Sequence, residues 1–172
     1  MYVIGIDPGL DGGIALVTPS YNMTVVDPPT LNVKGKGKGA KNKRLYHVSE
    51  IVKLLKFWAE QYNPLRCYIE NVHSMPGQGV VAMFSMGRGL GMYEGILHAL
   101  EIPFEYVTPQ AWKKLMLSGQ NKEKDASVYK AMQLFPGAEL KTLRGRLLDG
   151  RAEALLIAEY GRRINMVGRP AL

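Results

Sequence analysis

Four carboxylates stand where they can act together. Asp7 closes the apolar run Tyr2-Val3-Ile4-Gly5-Ile6, and Glu70 closes Cys67-Tyr68-Ile69. Asp149 and Glu153 are four residues apart, which puts them on one face of a helix. If the first two runs are neighbouring parallel strands, ~4.8 Å apart, their terminal acids converge at one edge of a sheet. Converging carboxylates repel unless a cation or a proton relieves them. An all-oxygen set suits Mg²⁺ or Mn²⁺ rather than zinc, which favours His or Cys. Four such ligands can hold two ions ~3.5–4 Å apart, the arrangement that activates a water and stabilises the leaving oxygen in an in-line phosphodiester displacement. Asp149 has a second reading, since an acid at a helix start caps free N–H groups. Glu153, set among Ala152, Ala154 and Leu155 on a closely packed helix, belongs either to a packing edge or to a site.

The elements that must position these acids can be read from periodicity and turn chemistry. Residues 2–7, 13–18 and 22–27 are rich in β-branched and aliphatic types and are separated by Asp7-Pro8-Gly9 and Thr18-Pro19-Ser20, so they form an antiparallel meander. Ser49 is placed to cap a helix that ends near Asn63-Pro64. A strand over 66–70, a helix over 80–100, a strand over 104–107 and helices over 125–135 and 149–163 follow. Helical crossovers make the later strands parallel to the first. The expected fold is α/β, a mixed five-stranded sheet with three antiparallel strands and then two parallel ones, flanked by helices. Sites in such sheets form at the carboxyl ends of the parallel strands. With 172 residues and 47% apolar types, a single domain over 1–172 is expected, with a short tail from about 164.

The net charge of +7 is unevenly distributed. Lys34, Lys36, Lys38, Lys41, Lys43 and Arg44 fall in a glycine-punctuated loop, 34–44, that contains no acid. Such a loop is either a solvated face or a contact for a polyanion, nucleic acid first. The sequence contains no apolar run of ~18 residues, so no membrane helix is expected. The N-terminus has no basic region before its short apolar run and meets the Asp7 carboxylate at once, so no secretory leader is expected. The lone Cys67 excludes an internal disulfide, and a reducing, cytoplasmic setting is the simplest expectation.

IGIDPG at 4–9, YIENV at 68–72 and DGRAEALLIAEYG at 149–161 together resemble the three motifs of RuvC-type Holliday-junction resolvases, in a phage-like version. GRGLGMYEGIL (87–97), TPQAWKK (108–114) and NKEKDAS (121–127) resemble the intervening segments. The likeness covers roughly residues 1–163. It implies a ribonuclease-H-like fold and a homodimer that nicks four-way DNA junctions in symmetric pairs with Mg²⁺ or Mn²⁺. It also implies that Asp7, Glu70, Asp149 and Glu153 are the metal ligands and catalytic acids. The final acid of the motif is commonly Asp; here it is Glu153, whose longer reach affects metal preference and rate. Lys113 and Lys124 match the family's phosphate-contacting positions best, with Lys114 and Lys122 as alternatives. His73 aligns with a junction-probing aromatic, and Met75 is an alternative wedge. Gly87, Gly91 and Gly95 recur on one helix face, either to pack closely on the sheet or to form the dimer interface.

The expected function is therefore a structure-selective endonuclease for four-way junctions and other branched DNA. Two other classes share some of these features. A junction-binding protein without cleavage is compatible with the unusual Glu153. An actin-like-fold phosphotransferase shares the strand-Asp-x-Gly start but requires a second phosphate-binding lobe, for which 172 residues leave no room.

Overall fold

Apolar alternation on both faces of the strands builds a sheet with a core on each side. The structure, a computed structural model, describes residues 1–166 apart from 36, 38, 40, 74–76, 78 and 120–124. Lys36, Lys38, Met75, Lys122 and Lys124, and the tail beyond 166, thus lie outside the described residues.

The strands β1 (Tyr2–Asp7), β2 (Gly13–Val17) and β3 (Met23–Val26) form the antiparallel meander. A hairpin of β4 (Thr30–Val33) and β5 (Lys43–Tyr46) follows, then α1 (Val48–Gln61), β6 (Leu65–Glu70) and α2 (Val80–Ala99). The chain continues through β7 (Phe104–Val107), α3 (Pro109–Met116), α4 (Ala126–Leu134) and α5 (Asp149–Met166). The main sheet has the order β3-β2-β1-β6-β7, with β6 parallel to both β1 and β7. This is the expected mixed five-stranded sheet.

Ile4, Ile6, Ile14 and Leu16 pack on one face against Ile51 and Leu55 of α1 and Tyr93 and Leu97 of α2. Val3, Ala15 and Tyr68 on the other face meet α5 and Trp112 of α3. Burying each large side chain of this kind contributes roughly 1.5–3 kcal/mol. Gly5 brings α5 unusually close to the central strand: a Cβ there would lie 2.1 Å from the Ala154 carbonyl oxygen and 2.4 Å from the Ala158 nitrogen.

Three expectations change. The ends of the basic loop are strands rather than irregular chain, and they make a separate two-stranded sheet. The segment after Thr108 is a helix, α3, started by Pro109 in its first turn and by Thr108 accepting the Ala111 N–H. Ser49 does not cap α1. The Glu50 and Ile51 N–H groups both donate to the His47 carbonyl, so the cap is His47 and the helix starts two residues earlier, and the Ser49 hydroxyl pairs with His47 Nδ1 at 3.0 Å.

α2 buries Gly89, Tyr93, Ile96 and Leu97. A Cβ on Gly87, Gly91 or Gly95 would meet nothing within 4 Å, so that stripe does not pack on the protein's own sheet. Val80, Val81 and Phe84 are exposed at the start of the same helix. No described helix is long and apolar enough to cross a membrane.

Candidate active site

The register Ile6↔Ile69 places Asp7 and Glu70 side by side at the carboxyl edge of β1 and β6. The turn after β1 accounts for one oxygen of Asp7, because the Gly9 N–H donates to Oδ1 at 3.3 Å. Glu70 is buried, and its Oε1 accepts the Trp112 indole N–H at 2.8 Å. Glu153, one turn into α5, accepts the Ser127 hydroxyl at 3.3 Å and pairs with Lys113 Nζ at 3.3 Å. The same ammonium lies 4.9 Å from the centre of the Trp112 ring.

These acids act on one another. Burial first, then the charges of Glu70 and Glu153, push Asp7 up to about 7; the Gly9 N–H and Lys113 oppose them. Burial is also the main cause that raises Glu70, with Glu153 adding and Trp112 and Lys113 opposing. A site that holds three acids against their preference for separation favours a proton or a cation.

Asp149 stands apart from this group. It is exposed at the first residue of α5 and is not among the charges acting on Asp7 or Glu70. The helix phase explains this. Gly150, three residues before Glu153, is the residue turned inward against the β1–β2 turn, where a Cβ would lie 2.1 Å from the Asp11 carbonyl oxygen. Asp149 lines instead a separate cleft with Asp11, Asp27, Arg44 and Arg146. The structure therefore brings together three of the four expected acids.

Among the described residues, no three His, Cys, Asp or Glu side chains are gathered closely enough to hold a metal ion as they stand. The donor set nonetheless fits one. Asp7, Glu70 and Glu153 offer only hard oxygen ligands, and their mutual repulsion is the kind a divalent ion removes. Coordination requires the carboxylates to draw together from the positions that Trp112, Ser127 and Lys113 give them.

Sequence reasoning placed Lys113 on DNA, whereas the structure places it among the acids. Trp112, Ser127 and Tyr46 were missed. For Trp112 the signal was present, since a large indole beside Lys113 needs a partner for its N–H. Tyr46 donates to the Pro8 carbonyl at 2.7 Å, and Arg44 pairs with Asp11 at 2.6 Å, so the β4–β5 hairpin is fastened to the turn that carries Asp7. Lys34, Lys41, Lys43 and Arg44 are exposed, as is His73 in the loop after β6. His98 stacks edge-on against Phe104.

No family model matches the chain. Residues of the chain are 33% identical over 93 positions to the chloroplastic Holliday junction resolvase MOC1 of Chlamydomonas reinhardtii, a match spanning 54% of this chain and 10% of that protein. The chain thus covers about a tenth of the length of this curated relative. Among solved structures, Thermus thermophilus RuvC is similar with a TM-score of 0.56 and 16% identity, covering 96% of this chain and 97% of that one. The same protein in complex with a Holliday junction substrate gives 0.59 and 15%, covering 98% and 97%. The yeast mitochondrial Holliday junction resolvase Ydc2 gives 0.53 and 18%, covering 94% and 77%. In fold, the chain is therefore of the RuvC type, the ribonuclease-H-like mixed sheet that its three carboxylate motifs resemble.

Proposed function

We propose that this chain is a structure-selective endonuclease that resolves four-way DNA junctions, and acts on other branched DNA, by paired metal-dependent phosphodiester hydrolysis. The observation that carries this reading is the convergence of Asp7, Glu70 and Glu153 at the carboxyl edge of two parallel strands. Likeness to RuvC and to MOC1 supports the junction as the substrate.

Asp7, Glu70 and Glu153 would hold Mg²⁺, with Mn²⁺ substituting, in a site for two ions. When bound, the metal supplies charge stabilisation at the phosphate and lowers the pKa of an attacking water. The chain's own residues prepare that state. Trp112 fixes the Glu70 carboxylate by its N–H and so limits which oxygen faces the pocket. Lys113 neutralises Glu153 until a cation arrives, and is then free to contact a phosphate next to the scissile bond. The exposed cations of the 34–44 loop hold DNA backbone without reading bases, and Lys124 and His73 extend that contact. Asp149 has no part in the ligand set.

Paired nicks require two sites related by a two-fold axis. The unpacked Gly87, Gly91 and Gly95 stripe, next to exposed Val80 and Phe84, offers a face for a second copy. A reducing cytoplasm, bacterial or of a phage-infected cell, suits a chain whose single thiol, Cys67, is buried.

The test is nicking of fixed and mobile four-way junctions, flaps, forks and linear duplex, with Mg²⁺, with Mn²⁺ and with chelator. Symmetric nicks on junctions that disappear in Asp7→Asn and Glu70→Gln, while junction binding persists, are expected. Tight junction binding without cleavage in either metal would establish a binding protein instead.

A further inference from the structure

Two segments hold nine of the chain's 22 Lys and Arg and none of its 15 Asp and Glu. One is the 34–44 loop. The other, Lys-Thr-Leu-Arg-Gly-Arg at 141–146, plays no part in the function proposed above, yet without the two segments the chain is net acidic.

The second segment is a built turn rather than slack chain. Lys141 bridges Leu147 in antiparallel fashion. The Thr142 N–H donates to the Arg146 carbonyl at 2.9 Å, and the Arg146 N–H returns to Thr142 Oγ1 at 3.1 Å. Gly145, at φ +81, allows its N–H to close on the Thr142 carbonyl at 2.9 Å. At the tip, Leu143 is 110% exposed, more than any other large apolar side chain among the described residues. Arg44, Arg66, Arg151, Arg162 and Arg163 are each paired with an acid, whereas Lys141, Arg144 and Arg146 enter no ion pair among the described residues. Arg146 and Arg44 line one cleft of about 260 Å³, so the turn and the hairpin bearing the basic loop stand beside each other.

A leucine held in water at the tip of a hydrogen-bonded turn, between unpaired cations, has the chemistry of a wedge for DNA: cations on phosphates, an apolar side chain against an opened base step. We propose that the 141–146 turn is a second DNA-contacting element. Its cations grip the backbone of a duplex arm beside the basic loop, and Leu143 enters the distorted base steps next to the branch. This rests on the branched-DNA reading above.

The test measures affinity for a four-way junction and a linear duplex across a salt series, in chelator so that no cleavage occurs. Arg144→Ala/Arg146→Ala should flatten the slope of log affinity against log salt by about 1.8, at about 0.9 for each phosphate no longer neutralised. Arg144→Lys/Arg146→Lys should keep the slope, and all variants should unfold at the wild-type temperature. Leu143→Ser should leave the slope unchanged but weaken junction binding roughly tenfold relative to duplex, the fold-change of about 1.4 kcal/mol of leucine burial. A wild type that binds junctions with a steep salt slope, alongside variants that match it in slope and affinity, overturns the turn's role and leaves the branched-DNA reading standing. A wild type that binds no branched DNA overturns both.

Discussion

Replacing Asp7 with Asn should make the metal-free protein more stable while ending its nicking. Burial, followed by Glu70 and Glu153, lifts Asp7 from the ordinary 3.8 to about 7. Between those two pH values the folded chain keeps a proton that the unfolded chain has released. Stability then falls as pH rises from about 4 to about 7 and is level above that window. At about 1.36 kcal/mol per pH unit, the full loss comes to about 4 kcal/mol. Asn carries no charge and retains an oxygen for the Gly9 N–H. Urea unfolding in chelator should therefore show Asp7→Asn and wild type nearly equal at pH 4, and the variant ahead by up to about 4 kcal/mol at pH 8. Adding Mg²⁺ at pH 8 should close most of that gap by stabilising the wild type. A variant no more stable than wild type at pH 8 in chelator would mean that neither burial nor the neighbouring acids disfavour the Asp7 charge, and the argument for a cation site would fall with it.

Trp112→Phe removes the N–H that holds Glu70, and should raise the Mg²⁺ concentration for half-maximal nicking by roughly tenfold or more, measured by metal titration. Glu153→Asp should still nick junctions, because it supplies the acid common in the motif; a folded but inactive variant would show that the backbone of α5 is set for the longer side chain. Serine at Lys34, Lys36, Lys38 and Lys41 should weaken binding to every branched DNA by a similar factor and flatten the salt slope by about 0.9 for each phosphate that is released. Gly5→Ala drives a methyl group into the α5 backbone and should cost about 3 kcal/mol in urea unfolding, the upper range for an overpacked core.

The main sheet was legible because its strands carry apolar types on both faces and all but β6 run into a Pro. The β4–β5 hairpin was not. Thr30–Val33 and Lys43–Tyr46 are short and mostly exposed, so their pairing leaves little hydrophobic signature beside the lysines between them. α3 was hidden for another reason: Thr108-Pro109 ends a strand and also starts a helix, and an eight-residue helix gives periodicity little room. Asp7 and Glu70 were legible because a strand end fixes where a side chain points. Asp149 was not, since spacing alone gives a shared face but not which side of that face meets the sheet; the close approach of Gly150 to the Asp11–Gly12 backbone decides it. For Lys113 the resemblance implied a phosphate contact, but its pairing with Glu153 depends on where α3 places it, which periodicity alone does not reveal.

The fastening of the β4–β5 hairpin to the turn after β1 has a thermodynamic consequence. Tyr46, whose phenol is pushed up to about 12 by burial and then by Asp7, remains a hydrogen-bond donor to Pro8 at any working pH. With Arg44 held on Asp11 as a second tie, a displacement of the hairpin is transmitted to the residues on either side of Gly9. The basic loop and the acidic pocket then share one mechanical element, so on the proposed function polyanion and cation would be linked ligands. Linkage is reciprocal: whatever factor an occupied loop adds to the affinity of the acids for a divalent ion, the ion returns, undiminished, to the affinity of the loop for its phosphates. Free protein in a cell would hold its metal least firmly when no branch is at hand, and the cost of assembling the reactive centre would be met at the branch itself.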